Sequence, residues 1–424
     1  MENQDKIIQL AAEIGLNVAE EAQDSRGGDL ATLELLWRND KGKVSSDMHN
    51  VCLVLENDPA YQSLCFHEHA QRILFLEERL EDKHVMRIRR DLLVRYGIKQ
   101  GKKEINDCIM MIAADRIYDP IKDYLSGLVW DKIPRVHSLL EDVFNAETTN
   151  ESRPLIERMG HNWLVSCVAR VFNPGCKVDT LLVLVSDKGF NKGRAFEALA
   201  GNEWFTDNDL DIGSERGLQK IHQSGKWIWE FAEMKSFQGR SAEATKAFIT
   251  SSKDLYKIPY ATHPIEVKRR VVFCASTNNF QFLTDGAERR FYIITLTDHI
   301  NLQAIKNCRD QIWAEAVYYF KQGNKWWLER ETTQDANGET VVIDWERANA
   351  KYQINYLVED AWAADVLEYF EQHQNQRITT NDLYNWLAIP HVQRKQGYSI
   401  RLGQICRSLG YEQNKARNWV KINK

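Results

Sequence analysis

The chain lacks any apolar run near the 18 or so residues that a membrane-spanning helix requires, so no span is expected. Its first residues, Met1-Glu-Asn-Gln-Asp5, carry neither a basic stretch nor an apolar core. No secretory signal is therefore expected, and a cytoplasmic location is the default reading. The eight cysteines are scattered, with no Cys-x-x-Cys pair and no grouping with histidines. That pattern argues against zinc and reads as reduced, mostly buried thiols. Internal repeats and low-complexity tracts are also absent. So is a uniformly basic surface, because the net charge is −5.

What is present is an ordinary soluble composition, 43% hydrophobic and 27% charged, in a length of 424 residues that suits two or three domains. Positive charge is local. His391–Lys424 carries eight Lys/Arg against the single acid Glu412, and Met86–Lys103 carries seven against Asp91. Either cluster is an electrostatic footprint for nucleic acid or, more plainly, a solvated face.

The pattern divides the chain into a helical N-terminal region (1–117), an α/β core (118–328), an acidic, turn-rich linker (329–357) and a compact C-terminal domain (358–424). The first region opens with a helix at Ile7–Ile14, breaks at Ser25–Asp29, and has helical apolar spacing over Lys102–Ala114. Asp119 is placed to cap a helix opened by Pro120. In the core, strands are expected at Leu181–Val185, Trp227–Phe231, Arg270–Ser276 and Phe291–Leu296, with helices at Ala242–Thr250 and 302–322. The last domain reads as helices over Ala361–Gln372, from Thr379/Thr380 through Trp386, and over Ser399–Leu409, then a hairpin over Tyr411–Ile422. Three helices and a basic hairpin suggest a winged helix, with Arg401, Gln404, Arg407 or Ser408 toward DNA and Lys415 and Arg417 on its phosphates. A protein-binding wing is the alternative.

The most telling stretch is Leu181-Leu-Val-Leu-Val-Ser-Asp-Lys-Gly-Phe-Asn-Lys-Gly-Arg194. An apolar strand, a Gly-bearing turn, a lysine and a helix-prone segment follow in the order of a phosphate-binding loop. Against the pattern G-x-x-x-x-G-K-[ST], Ser186 stands at the first glycine, Asn191 at the second and Gly193 at the Ser/Thr. Gly189 and Lys192 remain. Such a loop works by pointing backbone N–H groups at phosphate oxygens, and asparagine tolerates the left-handed conformation better than most residues. Gly193 has no hydroxyl for Mg²⁺. On the loop alone, a strand–turn–helix without nucleotide is the simpler reading.

Downstream residues change that balance. The strand Ile228-Trp-Glu-Phe-Ala-Glu233 ends in carboxylates suited to a metal (Glu230) and a general base (Glu230 or Glu233). A second buried strand ends at Thr277-Asn278-Asn279, where an amide can orient a water. Arg289 and Arg290 precede the next strand as a candidate arginine finger.

These features resemble the virulence-associated E family of phages and mobile elements, P-loop ATPases akin to superfamily 3 helicases. The resemblance rests on Tyr118-Asp-Pro-Ile-Lys-Asp-Tyr-Leu125, Leu128-Val-Trp-Asp131 with Arg135, Asn173-Pro-Gly-Cys-Lys177, Glu203-Trp-Phe-Thr-Asp207, Trp227–Glu233, Lys253-Asp-Leu-Tyr-Lys-Ile-Pro-Tyr260, Ser276-Thr-Asn278, Phe282-Leu-Thr-Asp285 and Glu288-Arg-Arg-Phe291. It covers roughly residues 100–330. It implies a replication protein with a RecA/AAA+-like core that binds ATP, Mg²⁺ and DNA as a homo-oligomeric ring such as a hexamer. Lys192 then matches the Walker A lysine, Glu230 and Glu233 the Walker B acids, Asn278 the sensor and Arg289–Arg290 the arginine pair. Lys257 replaces an arginine in a family element and is carried over as a DNA contact. The primase domain frequent in the family is not expected upstream.

The chain departs from the family's usual loop at Ser186, Asn191 and Gly193. Two readings follow. One is an ATP-driven DNA translocase or helicase with an impaired loop. The other is a DNA-binding or assembly module on the same fold that does not turn over nucleotide.

Overall fold

The computed structural model describes residues 27–234, 241–257, 264–283, 289–334, 339–357, 361–373, 376–394 and 396–421. The helix expected at Ile7–Ile14, Pro259–Tyr260, and Asp285 with Glu288 lie outside them, as do the side chains of Gln404 and Ser408. The chain divides into two compact units, Met1–Pro120 and Ile121–Lys424.

The first unit is not purely helical, as the sequence suggested. Four short strands, β1 (Cys65–His67), β2 (Arg72–Phe75), β3 (Glu78–Arg79) and β4 (Ile117–Tyr118), form a sheet in the order β3-β2-β1-β4. None is longer than four residues, too short for alternation to show. Helices Met48–Asn57, Asp82–Tyr96 and Lys102–Asp115 supply Val54, Leu55, Ile88, Leu92, Ile105 and Ile109 to the core of this unit. Arg95, from the basic run, is spent internally. It reaches the buried Asp58 at 2.7 Å, and Tyr96 donates its hydroxyl to the same carboxylate. Arg87, Arg89 and Arg90 remain exposed.

The second unit is built on five strands: β5 (Leu181–Val185), β6 (Phe205–Thr206), β7 (Ile228–Ala232), β10 (Val272–Thr277) and β11 (Phe291–Thr295). Their order is β11-β5-β10-β7-β6, and every neighbouring pair is parallel. A parallel sheet covered on both faces calls for continuous apolar strands, and all five residues of β5 are buried. Leu182 and Leu184 pack with Trp163, Phe196, Trp227 and Trp313, from the side of helices Arg153–Phe172, Lys192–Ala200 and Leu302–Lys321. Leu181, Val183 and Val185 pack on the other face with Ile221, Phe248 and Ile249, from helices Glu215–Gln223 and Ser241–Thr250. Between β7 and β10 the chain forms a separate antiparallel hairpin, β8 (Lys253–Tyr256) with β9 (Ile265–Lys268).

Within 329–357, where a linker was expected, the described residues form secondary structure. β12 (Arg330–Gln334) pairs with β13 (Thr340–Asp344), and the helix Trp345–Tyr352 follows. Trp345 packs into one face of the core and Tyr356 into the other. Trp345, Asn349, Gln353 and Tyr356 are the buried residues of this otherwise polar and largely exposed stretch.

The C-terminal region has helices Ala363–Gln372, Thr380–Trp386 and Gln396–Ser408. Its sheet has the order β14-β16-β15, from Ile378–Thr379 (β14), Tyr411–Gln413 (β15) and Asn418–Lys421 (β16). Its core is Val366, Phe370, Leu383, Leu402, Ile405 and Trp419. Thr379 caps the second helix as expected: its side chain accepts from the Asp382 amide, and Asp382 accepts from the Thr379 amide at 2.8 Å. β14, only two residues long, was not foreseen. No helix of the described residues is long and apolar enough to cross a membrane.

Candidate functional site

β5 is flanked by β11 on one side and β10 on the other, so its carboxyl end is a switch point where such sheets hold ligands. The chain leaves there through Ser186 and re-enters a nine-residue helix at Lys192. Gly189 has φ +92° and open space where a Cβ would stand. Asn191, the residue before the helix, has φ +63°, the left-handed conformation that the pattern's glycine would adopt. The asparagine therefore keeps the backbone path of the loop. Phe190 steadies its outer side by stacking on His299 at 4.8 Å, and its carbonyl accepts from the Ile300 amide.

Lys192 turns its ammonium back under the loop. Nζ lies 3.0 Å from the Ser186 carbonyl, 2.8 Å from Ser186 Oγ, 3.0 Å from the Asp187 carbonyl and 2.8 Å from Asn278 Oδ1. Burial lowers its pKa from the usual lysine value, against the opposing pull of Asp187 and Glu230. Asn278 follows β10, which pairs with β5, so the predicted lysine and asparagine meet across neighbouring strands.

Glu230 sits mid-strand in β7, 3% exposed, on the face toward the helix Lys192–Ala200. Ser276 donates its hydroxyl to Glu230 Oε1 at 2.5 Å. Burial pushes the carboxyl up from its ordinary value; the Ser276 hydrogen bond opposes this, Asp207 adds to it and Lys192 opposes it. Asp207 belongs here by register, because β6 pairs Thr206 with Trp229 and Asp207 is the next residue. Glu230 Oε2 lies 2.8 Å from the point where a Cβ on Gly193 would stand. The two positions that resemble a metal's hydroxyl and carboxylate thus face each other, and the carboxylate fills the gap left by the missing side chain.

Glu233 lies just beyond β7, exposed, with φ +55°, and Met234 follows at φ +48°. Arg289 and Arg290 do not join this cluster. β11 runs parallel to β5 with Phe291 opposite Leu181, so both arginines lie at the amino end of the sheet. Five strand residues, about 17 Å, separate them from the loop's edge. Arg289 instead approaches Asp179 at 3.7 Å and Glu346 at 3.9 Å.

An open cleft of about 810 Å³ lies against the loop, lined by Asn191, Lys192, Arg194, Glu197, Asp207 and Lys226, among others. Lys226 donates to the Glu203 carbonyl at 2.8 Å. Arg194 is exposed and has no hydrogen-bond or ion-pair partner among the described residues. Asp207, Ser276 and Arg194 stood in quoted segments without a role of their own, and Lys226 was not named from sequence. Asp207 ended a segment quoted above, but its register with Glu230 follows only from strand order.

The Mg²⁺ expected from the sequence does not fit the donors present. Gly193 brings no oxygen, and Glu230 is hydrogen-bonded to Ser276 and turned into the space beside it. Among the described residues no group of three or more His, Cys, Asp and Glu forms a metal cluster.

The candidate DNA residues are dispersed. Lys257 is exposed where β8 ends, its amide held by Glu215 at 2.6 Å. That hairpin is rooted by a buried network: Asp254 receives Arg269 Nη2 at 2.7 Å and contacts His222 Nε2 at 2.9 Å. Lys415 and Arg417 are exposed in the β15–β16 turn, where Asn414 Oδ1 accepts from the amides of Ala416 and Asn418. Arg407 is exposed on the third helix, whereas Arg401 lies over the Trp362 ring at 3.6 Å.

The virulence-associated protein E-like domain profile matches residues 125–343. No curated protein matches the chain. Among solved structures, one A-form apo structure of the NrS-1 C-terminal region (305–718) is similar at 14% identity and a TM-score of 0.45, covering 89% of this chain and 100% of that one. A second A-form apo structure of that region stands at 13% and 0.42, covering 85% and 96%. The matched stretch is more than half of the sequence and contains every strand from β5 to β11. The chain therefore belongs to the virulence-associated protein E-like family.

Proposed function

We propose that this is a replication protein of a phage or mobile element that binds a nucleoside triphosphate at the loop Ser186–Gly193 and DNA through its C-terminal domain. In this reading the five-stranded sheet is a RecA/AAA+-like P-loop core and the C-terminal domain is a winged helix. The single observation that carries it is the convergence on Lys192: a loop with the left-handed Asn191, a lysine, and an asparagine from the neighbouring strand meet at one sheet edge. Phosphate oxygens entering the cleft exchange with the oxygens that now hold Nζ, and the loop amides with the helix N-terminus add donors. Exposed Lys415 and Arg417 in the wing, Arg407 on the third helix and Lys257 on the β8–β9 hairpin supply phosphate contacts. Arg401 packs on Trp362 and serves the wing's structure first.

Arg289 and Arg290, remote from their own loop, suit a role on a neighbour's nucleotide in a homo-oligomeric ring. Their place at the opposite sheet edge favours action between subunits over action within one.

Glu230 and Gly193 favour the second reading of the same site, a nucleotide-binding assembly module with little or no turnover. A carboxylate bonded to Ser276, with no hydroxyl at 193, supports binding better than hydrolysis. Titration of ATP onto the full chain tests the main reading. Wild type is expected to bind, Lys192→Ala to lose binding, and both to retain DNA affinity. Equal nucleotide binding by the two would overturn the assignment. Turnover that rises with DNA would decide for the translocase.

A further inference from the structure

We infer that the loop takes its nucleoside triphosphate without a divalent metal, with the Arg194 guanidinium supplying charge that a metal supplies elsewhere. This rests on the nucleotide reading above and departs from the cofactor expected with it. Three observations carry it.

The first is geometric. A serine or threonine after the lysine brings a hydroxyl to the metal. Here a glycine follows the lysine and brings none, and the nearest atom to its absent Cβ is Glu230 Oε2, at 2.8 Å. Any side chain at 193 forces that carboxylate to move, so glycine at 193 and the present seat of Glu230 go together.

The second is that Glu230 is already engaged. Ser276 Oγ holds its other oxygen at 2.5 Å, and the group is 3% exposed in the middle of β7. Oε1 is thus committed to Ser276 and Oε2 is what Glu230 can still offer; divalent magnesium requires near-octahedral oxygen ligands, and the hydroxyl that would stand beside Oε2 is missing at 193.

The third is the residue that follows. Arg194 opens onto the cleft beside Lys192, and no hydrogen-bond or ion-pair partner holds it among the described residues. A guanidinium presents a planar fork of donors to phosphate oxygens and stays charged at any working pH. Lys226 lines the same cleft but is turned to the Asn202 and Glu203 carbonyls. The cleft also carries the carboxylates of Glu197 and Asp207. Among the described residues that line the cleft, Arg194 is therefore the uncommitted cation.

Calorimetric titration of ATP onto the full chain, in excess EDTA and again in excess Mg²⁺, tests this. Wild type is expected to bind equally well, within about twofold, in both. Arg194→Ala is expected to weaken binding in EDTA by about tenfold or more, the loss typical of one charge-assisted hydrogen bond, and Arg194→Lys to recover part of it. Gly193→Ser is expected to displace Glu230 and make affinity rise with Mg²⁺. Because Arg194 is exposed, its variants should melt with wild type, which separates lost contact from lost fold. Wild-type binding tightened about tenfold or more by Mg²⁺, or unaffected by Arg194→Ala, overturns the inference while leaving the nucleotide site standing. No binding in either condition overturns the nucleotide reading itself.

Discussion

Replacing Asp254 by alanine should loosen the hairpin β8–β9 more than any other single change near the core. Asp254 is 7% exposed and Arg269 is 1% exposed. The two are joined by a bidentate pair, at 2.5 Å from Nε and 2.7 Å from Nη2. The guanidinium also donates to the Phe248 carbonyl and lies 4.1 Å from the centre of the Phe248 ring. Burial alone would raise the Asp254 carboxyl, but hydrogen bonds from His222 and Arg269 more than offset it and hold the group at about 2, against an ordinary 3.8. That difference favours the charged form by about 2 kcal/mol at most. Truncation costs more, because it also strands Arg269 against two aromatic rings. Breaking a buried pair by removing one partner costs roughly 3–5 kcal/mol. At about 2 °C per kcal/mol, a large body should melt roughly 6–10 °C lower. Scanning fluorimetry measures this, and hydrogen exchange should show Lys253–Tyr256 and Ile265–Lys268 losing protection first. The sign with pH follows from the lowered carboxyl: its contribution is complete at neutral pH and drains away as pH falls from about 4 through about 2. The gap between wild type and Asp254→Ala should close over that window. The double variant Asp254→Leu/Arg269→Met should recover much of the loss, since no buried charge is left alone. A single variant melting within about 2 °C of wild type, less than 1 kcal/mol, would refute the reasoning.

Three further outcomes are expected. Trp345→Ala should cost about 3–5 kcal/mol, because the ring fills the core and its Nε1 donates to Glu331 Oε2 at 3.0 Å; melting unaffected by the change would mean that 329–357 is a linker after all. Lys415→Ala combined with Arg417→Ala should weaken DNA binding across sequences and reduce the salt slope by about 2, measured by titration at several salt concentrations, and an unaltered slope would remove both residues from the interface. Asn191→Gly should leave stability nearly unchanged, whereas Asn191→Val should cost about 1–2 kcal/mol, since φ is +63° there; equal melting of the two variants would contradict the left-handed loop.

Much of the site was legible in the sequence because its parts lie on or just after strands that read clearly. β5 announces itself as five consecutive apolar residues, the lysine follows it, Asn278 follows β10, and Glu230 is the one acid within the otherwise apolar β7. Parallel strands place such ends at one edge, so order along the chain predicted convergence in space. The same logic misleads for Arg289 and Arg290, which precede a strand and therefore fall at the other edge. Strand order was not legible, and with it went the pairing of Asp207 beside Glu230 and of Ser276 against it. The first depends on β6 lying beside β7 and the second on β10 inserting between β5 and β7, an order that no local pattern encodes. The two-residue strands β3, β4, β6 and β14 carry too few residues for any period to register.

Strand order also joins the lysine to the acid. Lys192 is held by Asn278, the residue after β10, and Glu230 is held by Ser276, two residues earlier on the same chain. An anion that draws the ammonium away from Asn278 Oδ1 removes a bond that fixes the end of β10, only two residues from the hydroxyl that keeps Glu230 in its seat. The ammonium gains by the exchange, because phosphate oxygens carry charge and the carbonyls they replace do not. Asn278 Oδ1 loses the ammonium that it accepted from and is released to meet the ligand or a water. In the proposed reading, occupancy of the loop would be read at β10, which pairs with both β5 and β7. Such coupling would need neither a metal nor turnover.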